Sequence, residues 1–240
     1  MDLSIICLIL AIIFLGAIVR STLGFGNALV TMPLMCLIIG LRTAAPISAF
    51  ISTTIALVIL INNWKFVNLK SVWRLILSSA IGIPLGIYIL TSINNRILVI
   101  ILGIFLILFS LFRIFATKTI KIKSNKPAYL FGFLSGIFGG AYNVGGPFIV
   151  VYSTLKNWSP IEFKATLQGY FFISNIIIVF MQGASGLWTS KVFLIYLLAL
   201  PVVGIAIFLG GKFTLLIPKG KFDKIIYLFL ILVGIFLLVQ

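Results

Sequence analysis

The chain has 240 residues, 62% of them hydrophobic and 9% charged, with a formal charge of +15 and a mean hydropathy of +1.31. No water-soluble domain of this length is composed that way, so the class is a polytopic membrane protein. The positive charge does not point to nucleic acid, because the Lys and Arg residues sit in short loops between apolar runs and form no basic face.

The chain opens Met1-Asp2-Leu3 without a basic leader, so the first apolar run is expected to stay in the mature protein. Apolar segments follow at about 3–20, 28–41, 46–62, 73–91 and 96–116, then at about 128–141, 147–156, 165–182, 191–210 and 224–240. The long ones meet the requirement of roughly 20 residues for a span. Segments 28–41, 128–141 and 147–156 are short, and read either as half-helices or as short spans in a locally thin bilayer. Cys7 and Cys36 lie inside apolar runs and read as small buried hydrophobes, with no disulfide framework. Trp64, Trp73, Trp158 and Trp188 fall near span ends and read as interfacial anchors.

Two interruptions organise this pattern. The first is Arg20-Ser21-Thr22-Leu23-Gly24-Phe25-Gly26-Asn27, running on to Pro33. The second is Ser135-Gly136-Ile137-Phe138-Gly139-Gly140-Ala141-Tyr142-Asn143-Val144-Gly145-Gly146-Pro147. Glycine weakens a helix by about 1 kcal/mol relative to alanine and proline by about 3. A charge near the bilayer centre costs roughly 2.5–3.5 kcal/mol on insertion scales. Irregular backbone at membrane depth is tolerated only where protein buries it or where it lines a cavity. The two breaks therefore mark a site, with Pro33 and Pro147 placed where a helix restarts.

The interruptions also mark a duplication. In a common register Gly26, Val30 and Pro33 fall on Gly140, Val144 and Pro147, Pro46 falls on Pro160, and a short insertion brings Pro84 onto Pro201. The expected organisation is a first transmembrane repeat over 1–116, a basic cytoplasmic linker over 117–127 and a second repeat over 128–240. Five segments per half invert one copy relative to the other. With both termini outside, all but Arg42, Arg96 and Lys191 of the eighteen basic residues face the cytoplasm, as the positive-inside rule asks. The fold class is all-α, with about eight to ten transmembrane or half-membrane helices in two inverted repeats.

Enzyme chemistry has little to work with. There is no histidine, and the only acids, Asp2, Glu162 and Asp223, stand at loop edges. That leaves no carboxylate pair for acid–base work and no cluster to hold a metal, so no cofactor is expected. The breaks serve better as an anion site. A half-helix N-terminus presents free N–H groups and a partial positive charge, and two such ends facing each other bind an anion unaided. The candidate substrate-binding residues are Arg20, Gly24, Gly26, Asn27, Tyr142, Asn143, Gly145, Gly146, Lys164 and Gln168. The bland alternatives are close helix packing for the glycines, a span-end cation for Arg20 and an interfacial lysine beside Glu162 for Lys164. Asn175 is a further polar residue inside an apolar run.

The run Arg20-x-x-x-Gly24-Phe25-Gly26-x-Ala28-Leu29, followed by Pro33-Leu34, resembles the first-repeat signature of the TauE/SafE, or sulfite exporter, family. Gly139-Gly140 through Gly145-Gly146-Pro147, followed by Val150-Val151-Tyr152, resembles the second. Phe163-Lys164-Ala165-Thr166, followed by Tyr170-Phe171, is similar to the segment the family carries next. The resemblance spans nearly the whole chain and implies a cell-membrane transporter of small anions such as sulfite, organosulfonates or organic acids. Two departures stand out: Asn143-Val144 replaces glycine with a small residue, and Lys164 stands where arginine is frequent, which loses bidentate recognition of an oxyanion. The expected partners are a small anion and the lipid bilayer, with a homodimer left open. An anion channel on the same scaffold and a non-transporting anchor subunit are the alternatives.

Overall fold

A computed structural model describes residues 2–115, 122, 124–156, 158–216 and 219–239. Most of the expected basic linker, including Lys118, Lys121 and Lys123, lies outside the described residues. The described residues form ten α-helices and no strand. They are α1 Leu3–Leu23, α2 Asn27–Ile39, α3 Leu41–Asn63, α4 Leu69–Ser92, α5 Asn95–Phe115, α6 Pro127–Tyr142, α7 Gly146–Lys156, α8 Pro160–Ala184, α9 Ser190–Leu216 and α10 Lys219–Val239. Six of them, α1, α3, α4, α5, α8 and α9, are long and apolar enough to cross a membrane. The protein is a multi-pass membrane protein.

Helices α2 and α7 have 13 and 11 residues. At 1.5 Å per residue they reach only about 20 and 16 Å, short of a hydrocarbon core of about 30 Å. Each follows a break and turns back beside the helix before it, α2 against α1 and α7 against α6. Helices α3 and α8 pack against each other at the centre: 61% and 56% of their apolar windows are buried, against 33% in α5 and 28% in α9. The outer helices α5, α9 and α10 present Leu108, Phe112, Leu197, Phe208, Leu228 and Phe236 outward. Lipid is the solvent such a surface suits.

With no hydrophobic drive between helices in lipid, close approach depends on small residues. The seam between α4 and α6 is built that way. Any side chain at Gly82 or Gly86 would run into the carbonyls of Phe133 and Ile137, and one at Gly136 or Gly140 into those of Ser79 and Ile83. Gly103 and Gly234 meet where α5 crosses α10, and Gly210 brings α9 onto Ile18 and Ser21 of α1. Helix α8 starts on a cap in which the Ser159 hydroxyl accepts from the Glu162 N–H, with Pro160 in the first turn, a favourable arrangement for both residues.

Three expectations change. Pro33 does not restart a helix: α2 already begins at Asn27, and Pro33 lies in its interior. The reversal is supplied upstream by Gly24 and Gly26, at φ +87° and +97°, a region open to glycine at no steric cost. Pro147, by contrast, is in the first turn of α7. Cys7 is exposed on the apolar surface, whereas Cys36 is buried. Of the four tryptophans, Trp158 is packed edge-on against Tyr152 at 5.7 Å, so the core claims it; Trp64 and Trp73 are exposed.

Candidate functional site

Helix α1 ends at Leu23 with Gly24 as its left-handed cap, whose N–H bonds back to the Arg20 carbonyl. Helix α6 ends at Tyr142 with Asn143 as its left-handed cap, at φ 56°. Asparagine is the non-glycine residue that best tolerates this conformation, and among the described residues Asn143 alone of the non-glycines adopts it. The tips of the two hairpins, α1–α2 and α6–α7, meet at the middle of α3.

Ser52, halfway along α3, joins them. Its hydroxyl accepts from Asn27 Nδ2 at 3.0 Å and from Asn143 Nδ2 at 2.9 Å, and its carbonyl accepts from the Arg20 guanidinium at 3.1 Å. Asn143 Nδ2 also reaches Ser48 Oγ at 3.1 Å. Arg20 is 3% exposed, so it does not end a span at the interface. Its other terminal nitrogen donates to Gln168 Oε1 at 2.8 Å, and its guanidinium carbon lies 4.7 Å from the centre of the Phe171 ring. Gln168 in turn donates to the Gly24 carbonyl at 2.7 Å. All these partners are neutral. Arg20 Nε and Asn27 Oδ1 are buried without a hydrogen-bond partner. A buried cation set among neutral groups is costly unless an anion compensates it.

Between the breaks lies a cavity of about 30 Å³, lined by Arg20, Gly26, Asn27, Asn143, Gly146 and Pro147, among others. It opens onto the first turns of both α2 and α7. No side chain caps α2, so its leading N–H groups are free to face the cavity. The cavity has room for about one water molecule; a larger anion enters only if the breaks or Phe171 move.

The other expected residues fall at varying distances from this centre. Gly24 and Gln168 hold Arg20 in place. Gly145 borders an adjoining cavity on the α6–α8 side. Tyr142 is buried and packs at a tilt against Phe138, ring centres 6.0 Å apart, but borders neither cavity. Lys164 is half-buried and donates to the Ser21 carbonyl at 2.9 Å. It lines a separate wide groove between α1, α3, α8 and α9, while its neighbour Glu162 accepts from Asn68 at 2.6 Å. Ser48 and Ser52 are not among the residues expected from sequence, and Phe171 enters there only within the family-like segment. The signal available for the serines was their four-residue spacing, which puts both on one face of an apolar helix.

The family model described as "Sulfite exporter TauE/SafE" matches residues 8–237. No curated protein and no solved structure matches. With the match running almost end to end over an all-helical membrane fold, the chain belongs to the sulfite exporter TauE/SafE family.

Proposed function

We propose that the protein is a secondary transporter of a small oxyanion, with sulfite as the first substrate to try. One observation carries this reading: a buried arginine with only neutral partners stands in a cavity onto which two helix N-termini open. The N–H groups of α2 and α7, the unpaired Nε of Arg20 and the second amide hydrogen of Asn27 offer hydrogen-bond donors, which is what an oxyanion requires, and Asn143 joins them by releasing Ser48 or Ser52. The α1–α2 and α6–α7 hairpins enter from opposite sides of the membrane, as halves 1–116 and 128–240 in inverted orientation. The paired packing supports that relation: α1 lies on α9 as α6 lies on α4, while α3 meets α8 and α5 meets α10. Rocking of one half against the other alternately exposes the cavity. Both termini face outward on the distribution of Lys and Arg.

The test is uptake of labelled sulfite into proteoliposomes, with sulfate, thiosulfate, sulfoacetate and lactate as competitors. Saturable, competable uptake is expected, and it vanishes in Arg20→Ala protein that still inserts and folds. Large unitary currents would move the reading to a channel. Undiminished flux in Arg20→Ala would remove the site.

A further inference from the structure

Helix α8 carries polar groups that the site described above does not use. Gln168, Asn175 and Gln182 recur at seven-residue intervals, which places them along one face of the helix. They are 0%, 4% and 0% exposed. Gln168 is engaged at both ends of its amide, by Arg20 and by the Gly24 carbonyl. Asn175 Nδ2 has no hydrogen-bond partner, and neither polar atom of the Gln182 side chain has one. Unpaired buried amides are disfavoured in any helix, and more so in a membrane. Two on one face, in line with the residue that holds Arg20, call for a reason other than packing.

Asn175 borders two cavities. One is the cavity at Arg20; the other, of about 20 Å³, lies against α6 and is lined by Ser135, Gly145, Tyr170 and Ser174. Asn143 and Phe171 also border both. Hydroxyls furnish the second cavity: Tyr170 donates to Ser135 Oγ at 2.8 Å, Ser135 donates to the Gly145 carbonyl at 2.8 Å, and Ser174 Oγ lies 3.3 Å from Ser79 Oγ. Among the described residues no Lys or Arg lines it.

Resting on the anion reading, we infer that the second cavity, which like the first admits an anion only when Phe171 moves, is a second anion subsite. The ion reaches it from Arg20 by passing Asn143 and the Phe171 ring, and Asn175 Nδ2 serves both subsites. Gln182 borders neither cavity but lies two turns beyond Asn175 on the same face of α8, where a continuation of the route would run. With the unpaired Asn175 amide as its donor and no cation, the second subsite suits a singly charged oxyanion, because the cost of burying an ion rises steeply with its charge. The ion is held firmly at Arg20 and loosely beyond it, which favours onward movement.

Two experiments test this. Asn175→Leu and Gln182→Leu remove an unpaired amide at similar volume. The route predicts unchanged or raised thermal stability together with about a tenfold or larger loss of sulfite flux. A purely structural role predicts no loss of flux. Independently, single cysteines at 175 and 182, with Cys7 and Cys36 replaced by alanine, are treated with a small membrane-impermeant thiosulfonate in proteoliposomes. The route predicts that both react and that sulfoacetate, which unlike sulfite does not consume the reagent, slows the reaction at 175. Inert cysteines, or leucine variants with full flux, overturn the inference. The labelling needs no sulfite transport, so it still reports on an aqueous route if the wild-type protein carries no sulfite, a result that would instead count against the anion reading.

Discussion

The break between α1 and α2 turns on glycine, and the break between α6 and α7 turns on asparagine. Gly24 and Gly26 supply left-handed backbone and no side chain; the polar side chains of that tip come from Arg20 and Asn27 on either side. At the second tip Asn143 does both jobs, taking the left-handed conformation and donating from its side chain to Ser48 and Ser52. The first tip carries a cation and the second does not. Two reversals that look alike in sequence therefore differ in chemistry: one contributes charge, the other geometry and a neutral amide.

The largest effect that sharpens this contrast is expected from Arg20. Arg20→Ala removes the charge of the first tip and lowers sulfite flux at least about a hundredfold, since charged hydrogen bonds contribute about 1.5–3 kcal/mol each. Arg20→Lys keeps the charge without the fork and retains partial flux. Asn143 separates the two roles of the second tip. Asn143→Ala loses donor and conformation together, costing about 1–2 kcal/mol of stability from the left-handed backbone alone. Asn143→Gly restores the backbone but not the donor, so thermal unfolding should recover while flux stays depressed. Recovery of flux in Asn143→Gly would show that the amide is dispensable. Gly24→Ala is expected to cost about 1–2 kcal/mol in the same way, with the new methyl in contact with Lys164 Cγ. The smallest effect belongs to Pro33→Ala. Because Pro33 lies inside α2 and not at the reversal, stability should hold or rise and flux should persist. A collapse of folding in that variant would return Pro33 to the break.

The ten helices were legible because apolar runs were punctuated by Gly, Pro and basic loops, although α3, α4, α8, α9 and α10 each run four to six residues past the expected bound at one end. The two breaks and the burial of Asn27, Asn143 and Gln168 were legible for the same reason: polar residues there had nowhere cheap to go. Ser52 was not. A Ser or Thr in an apolar helix normally bonds back to its own helix, as Thr53, Thr54 and Ser21 do to Ala49, Phe50 and Ala17. Nothing in the sequence distinguishes the serine that instead faces two asparagines. Lys164 stands apart from the cavity for a related reason. It shares a helix face with Gln168, but its long side chain turns to the Ser21 carbonyl. Pro33 in sequence suits a first turn, yet the paired glycines complete the reversal upstream of it.

The central claim is that the oxyanion sits between the two tips. Selenite shares the shape and charge of sulfite, and its selenium scatters anomalously, so crystals grown or soaked with selenite locate the ion directly. The account predicts an anomalous peak beside Arg20, within hydrogen-bond reach of Asn27, Asn143 and the first turns of α2 and α7, and lost in Arg20→Ala. A peak confined to the groove at Lys164, or no peak at saturating selenite in crystals of a protein that transports sulfite, would contradict it.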